Sequence, residues 1–184
     1  INRGYFIRVH CIFEHLKSFA LEKDKFQVIS LGCGFDTSFL KLFHESFKPS
    51  LWIDADFEAL LAVKRKVFSD SGVEIPDFYQ MIPMDFTDLA QVQHQMQPLN
   101  KNIPTLFLAE CSLTYLPVSA SDSLLKWLSS EFSKATMLIY EQILTPKMQL
   151  PSSTIWCDPF VKTMCQHFQS LSTPIHSLWK YADL

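Results

Sequence analysis

The stretch VISLGCGFDTSFLKL, residues 28–42, decides the fold. An apolar run ends in two glycines separated by a cysteine. An aspartate follows, and then apolar residues recur at helical spacing. Strand, glycine turn and helix in that order open a unit whose ligand sits beyond the strand's carboxyl end. Outward from this point the alternation repeats. Residues 26–31, 51–55, 105–109 and 137–140 read as strands, with a weaker one at 78–84. The helices between them read as 36–45, carrying Phe39, Leu40 and Phe43 inward, then 57–68, 88–96 behind a Thr87 cap, and about 119–132. Upstream, residues 5–21 place Phe6, Val9, Phe13, Leu16 and Phe19 near helical spacing. Residues 145–154 read as a loop and 158–171 as a last helix. Strands alternating with helices of this length predict a doubly wound α/β domain built on a mostly parallel sheet.

At 184 residues, 48% of them hydrophobic and 19% charged, the chain is expected to form one domain over 1–184 with a real core. A formal charge of −3 makes no general case for nucleic acid or membrane. No apolar stretch approaches the ~18 residues of a membrane span, and no signal-peptide pattern stands at the start. The cysteines Cys11, Cys33, Cys111, Cys157 and Cys165 are odd in number and form no CxxC pair. They read as reduced thiols of an intracellular, cytoplasmic protein, with neither a disulfide frame nor a metal site.

Carboxylates mark the strand ends. Gly32, Gly34 and Asp36 follow the first strand, Asp54 and Asp56 the second, Asp85 the next, and Glu110 the strand at 105–109. A lone aspartate is most often a turn or cap residue. Four strand ends that each deliver an acid to one sheet edge point to a site. The glycines read G-x-G-x-D, so the pyrophosphate turn of a dinucleotide fingerprint is missing, and no phosphate loop is present. An acid about 20 residues beyond the glycines suits a ribose diol. Several acids tolerate a cationic sulfonium nucleoside and repel ATP, which describes S-adenosylmethionine.

The motifs INRGYFIRVHCI (1–12), LGCGFDTSFLKL (31–42), DADF (54–57), MDFTDL (84–89), PTLFLAECSLTYL (104–116) and IYEQI (139–143) resemble the leucine carboxyl methyltransferase family. They occur in the family's order and reach to about Phe168. A further stretch, MCQHFQSLSTPIHSL (164–178), resembles the family's tRNA wybutosine-synthesizing branch. The resemblance implies a Rossmann-like S-adenosylmethionine-dependent methyltransferase. It implies that Arg8 holds the methionine carboxylate, that Gly32 lies under the methionine portion and that Asp56 takes the ribose. Asp85 and Phe86 would meet the adenine, and Glu110 would line the pocket near the amino group. Asp54 ranks behind Asp56, and Tyr115 is a substrate-side candidate whose alternative role is packing at a helix start. Cys33 stands where the family usually has alanine, and Phe160-Val161 where it has a phenylalanine-glycine step. Family members carry a preceding lid and a C-terminal extension, so the chain is expected to be partial and inactive by itself.

No catalytic residue is nominated. Methyl transfer from a sulfonium to a carboxylate needs no base, because the nucleophile is already ionised at pH 7. The branch resemblance implies a hypomodified phenylalanine tRNA as partner, its wybutosine-precursor side chain as acceptor, and methoxycarbonylation of the adjacent amine. The alternative acceptor is the C-terminal leucine of a protein phosphatase 2A catalytic subunit. The acidic balance leans toward that alternative, and the basic run Lys64-Arg65-Lys66 reads as a solvated helix face. A non-catalytic module retaining the fold is the third reading.

Overall fold

The structure, a computed structural model, describes residues 2–141. The expected loop at 145–154, the helix at 158–171, the 164–178 motif, the Phe160-Val161 step, Cys157 and Cys165 lie outside them. Helix α1 (Asn2–Leu21) leads into strand β1 (Gln27–Leu31). Then follow α2 (Ser38–His44), β2 (Leu51–Asp56), α3 (Glu58–Asp70), β3 (Tyr79–Pro83), α4 (Leu89–Met96), β4 (Thr105–Glu110), a 3-10 turn (Leu113–Tyr115), α5 (Val118–Glu131) and β5 (Ala135–Tyr140). The five strands lie in the order β3-β2-β1-β4-β5 and every neighbouring pair is parallel. Strand order reverses between β1 and β4, which opens the ligand crevice of a doubly wound sheet at their carboxyl ends.

Both faces of the sheet are covered. Phe13, Leu16, Phe39, Leu42, Trp52 and Phe68 pack from α1, α2, β2 and α3 on one side. Val92, Phe107, Leu124, Leu128 and Phe132 pack on the other. β1 and β4 are buried almost throughout, which accounts for apolar runs without polar alternation. Burying each such side chain contributes about 1.5–3 kcal/mol. No helix among the described residues is long and apolar enough to cross a membrane.

The elements fall where the alternation predicts, with local corrections. Asp88, not Thr87, caps α4, its side chain accepting from the Gln91 amide. In α2 the inward pair is Phe39 and Leu42, while Leu40 and Phe43 are half-buried. Phe6 is 67% exposed and stacks on His10. The first turns of α1 run past the core to the cavity mouth, where Tyr5, Arg8 and Val9 line the opening.

Lys64 is the largest correction. It is buried, and its ammonium lies 2.5 Å from Asp54. Asp54 also accepts from the Trp52 indole at 2.8 Å and from the Tyr79 hydroxyl. The residue sits within β2 and serves the core, not the strand-end site. Arg65 and Lys66 are exposed and paired with Glu58 and Asp70. The basic run is therefore one buried cation and two neutralised ones.

Candidate functional site

The turn after β1 is built for close approach. Gly32 has φ +74°, and a Cβ there would lie 2.6 Å from the Ser112 Cβ, so the position admits only glycine without a shift of Ser112. The amides of Gly32 and Cys33 both donate to the Ala55 carbonyl, at 2.9 and 3.1 Å, which ties the turn to β2. The Gly34 amide donates to Asp56 Oδ2 at 2.9 Å, and the Phe57 amide donates to Asp56 Oδ1 at 2.8 Å. Asp36 accepts from the amide and hydroxyl of Ser38 at the start of α2. Cys33 is buried behind the turn, and burial first, then the charge of Asp54, pushes its thiol far above the ordinary range. It is not a nucleophile in this state.

Across the crevice stands the end of β4. Glu110 Oε1 lies 2.6 Å from Arg8 Nε, which reaches in from α1. The two side chains form a close ion pair at the crevice. Arg8 Nη1 donates to the Cys111 sulfur at 3.7 Å, and the guanidinium lies 4.9 Å from the Tyr5 ring centre and 5.7 Å from that of Tyr140. Burial pushes the Glu110 carboxyl above its usual range, with Arg8 pulling it back and Asp36 adding to the rise.

These walls enclose a cavity of about 720 Å³. That is within the range of small-molecule sites, roughly 300–1,000 Å³. Arg8, Gly32, Asp56, Phe86 and Glu110 all line it. Asp85 stands beside the cavity rather than on its wall, and its Oδ1 accepts from the amide and hydroxyl of Thr87. Tyr115 lines the cavity from the 3-10 turn, its phenol raised by burial. Among the described residues no three metal-binding side chains come together.

Ser112, Phe35 and Glu141 have no role in the sequence reading. Phe35 and Phe57 line the opening and are 60% and 59% exposed. Ser112 covers Gly32. Glu141, just past β5, accepts from the amides of Ser112 and Leu113 at 2.9 and 2.7 Å. The motif IYEQI contains it, but nothing in local spacing connects residue 141 to residue 112.

The fold is shared with a DUF574 family protein from Streptomyces avermitilis, whose crystal structure superposes with a TM-score of 0.62 over 99% of this chain and 65% of that one. At 14% identity this speaks to the fold alone. The chain is 31% identical over 164 residues to the leucine carboxyl methyltransferase 1 homolog of Arabidopsis thaliana, a match covering 78% of this chain and 49% of that protein. Its match to the tRNA wybutosine-synthesizing protein 4 of Aspergillus oryzae is 30% over 210 residues, 100% of this chain and 20% of that protein. The chain thus spans about half the length of the first relative and a fifth of the second. The profile described as leucine carboxyl methyltransferase matches residues 1–129, the whole run from Arg8 through the crevice walls into α5. With the sheet, the crevice and that match in agreement, the chain belongs to the leucine carboxyl methyltransferase family.

Proposed function

We propose that the cavity binds S-adenosylmethionine and that the protein methylates a carboxylate. The observation that carries this reading is the charge arrangement, with Arg8 facing a wall that bears Asp36, Asp56 and Glu110. Three acids disfavour a phosphorylated ligand and suit a cationic one. Arg8 Nη1 donates only to the weakly accepting Cys111 sulfur, so the fork has capacity for a ligand carboxylate. These residues fit the cofactor that the family implies.

Arg8 would hold the methionine carboxylate and Glu110 would accept from the amino group. Asp56, each oxygen of which accepts one amide, keeps lone pairs for two ribose hydroxyls. Phe86 would face the adenine, with Asp85 beside it. When bound, S-adenosylmethionine supplies an electrophilic methyl group whose leaving thioether is neutral. The chain then needs to supply alignment and exclusion of water, worth up to roughly 7–11 kcal/mol for well-oriented partners. Tyr115 and the exposed Phe35, which line the cavity, would face the acceptor.

For the acceptor we propose the wybutosine-precursor side chain of hypomodified phenylalanine tRNA, with methoxycarbonylation of the neighbouring amine. The stretch at 164–178 and the match to the Aspergillus oryzae protein across the whole chain support this choice. One observation favours the second reading, methylation of a phosphatase C-terminal leucine. The run Lys64-Arg65-Lys66 presents no unpaired cation to a phosphate. The test offers the full-length protein labelled S-adenosylmethionine with each substrate across a salt series. Labelling of the tRNA that falls steeply with salt is the expected result. Labelling of the phosphatase tail alone selects the second reading. Cofactor binding with neither labelled points to a missing partner or a third substrate.

A further inference from the structure

The sheet ladder between β4 and β5 ends where the Cys111 amide donates to the Tyr140 carbonyl at 2.8 Å. Beyond it the β4 chain turns sharply. Cys111 has φ +51°, an uncommon conformation for a residue with a side chain. The next amides, of Ser112, Leu113 and Thr114, would have no acceptor in the sheet. The Glu141 side chain supplies one: its Oε1 accepts from Ser112 and Leu113, and Thr114 also bonds to the carboxylate. One carboxylate thus closes a nest of successive backbone N–H groups.

The turn anchors Leu113 in the core and presents Glu110, Ser112 and Tyr115 to the cavity. Glu110, immediately before Cys111, faces Arg8. Ser112 sits against Gly32, and Tyr115 forms part of the wall. Glu141 itself is not on the wall, and its Oε2 is buried with no hydrogen-bond partner among the described residues. An unusual backbone conformation beside a site persists only when its surroundings over-determine it.

We propose that Glu141 is a positioning residue, which holds the Cys111–Thr114 turn in its bent form and so sets Glu110, Ser112 and Tyr115 against the ligand. It acts through the three amides and not by contact with the ligand or by its charge. This rests on the cavity being the cofactor site, and the two ideas fail separately. If the parent protein does not bind S-adenosylhomocysteine, the cofactor reading falls. If the three amides stay protected in Glu141→Ala, the positioning role falls.

The experiment compares parent, Glu141→Ala, Glu141→Asp and Glu141→Gln. It measures S-adenosylhomocysteine binding by calorimetry and hydrogen exchange at Ser112, Leu113 and Thr114 by nuclear magnetic resonance. Glu141→Gln keeps a carbonyl oxygen at the same reach, so it should bind within about twofold of the parent with the amides protected. Glu141→Ala should bind about tenfold or more weakly, the equivalent of one or two net hydrogen bonds. Its exchange should rise at those three amides while the β1 amides stay protected. Among the variants that keep native circular dichroism, affinity should track protection of the turn. A Gln variant as weak as Ala would place the carboxylate's charge on the ligand and overturn the proposal. Normal affinity in an Ala variant with exposed turn amides would overturn it as well.

Discussion

Lys64 of α3 and Asp54 of β2 meet at 2.5 Å with side chains only 2% and 1% exposed. Trp52 and Tyr79 complete the donors around the carboxylate. The pair lies on the face of the sheet packed by Phe39 and Phe68.

Removing one partner leaves a buried charge without its counterion. Lys64→Met should therefore destabilise the fold by about 3–5 kcal/mol. Lys64→Met with Asp54→Asn should recover a large part of that loss, because neither charge remains. Urea unfolding of the four members of the cycle measures both. Additive losses would show that the pair does not act as a unit.

Gly32 and Ser112 form a steric pair across the crevice. Gly32→Ala should lose stability through both contact and φ, the φ part alone being about 1–2 kcal/mol. Ser112→Gly in the same chain should relieve the contact and leave the φ cost. Gly34→Ala meets open space at φ +50° and should show only that backbone cost. Thermal melts of the three variants separate the two effects.

Asp56 serves the turn and, on the proposed reading, the ribose. Asp56→Ala should weaken S-adenosylmethionine binding by about 1.5–3 kcal/mol, the scale of hydrogen bonds to a charged group. Asp56→Asn keeps one carbonyl acceptor and should fall between. Calorimetric affinity equal to the parent's in Asp56→Ala would remove it from the ribose site.

Arg8→Lys retains the charge but loses the planar fork. Affinity for the same ligand should drop while the melting temperature holds. If Arg8→Lys binds normally and Arg8→Ala only unfolds the protein, Arg8 is a packing residue.

Glu110 gives a pH test whose sign follows from its burial. Its carboxyl is raised on folding, burial outweighing the opposing Arg8. Such a group stabilises the fold below its unfolded value of about 4.3 and loses that contribution as pH rises through the folded value. Ionised Glu110 is therefore a net cost at pH 7. Glu110→Gln should melt higher than the parent at pH 7, and the gap should close near pH 4, while ligand affinity falls. A lower melting temperature at pH 7 would mean that the Arg8 contact outweighs burial.

The sheet was legible in the sequence because each strand is a short buried run between helices of regular spacing. Gly32, Asp56 and Glu110 were legible because strand ends in such a sheet converge on one edge. Asp54 and Lys64 were not, since period 2 puts Asp54 on the face of Asp56 and says nothing of the cation above it. Phe6 failed for a related reason: helical spacing identifies a face but not where the core beneath it stops. Glu141 could not be read at all, because a side chain that caps a turn 29 residues away leaves no local pattern.

The Arg8 guanidinium touches Cys111, 103 positions further along, and stacks toward Tyr140. The cavity thus closes only when α1 meets the ends of β4 and β5. A growing chain that has emerged only as far as β3 holds Gly32 and Asp56 in place but has no opposite wall. Ligand capture consequently reports on completed folding, and a ligand that binds only the native state raises its stability in proportion to the logarithm of its concentration. Amides in α1 and β5 should then slow their exchange together on saturation, although no hydrogen bond in the sheet joins those two elements.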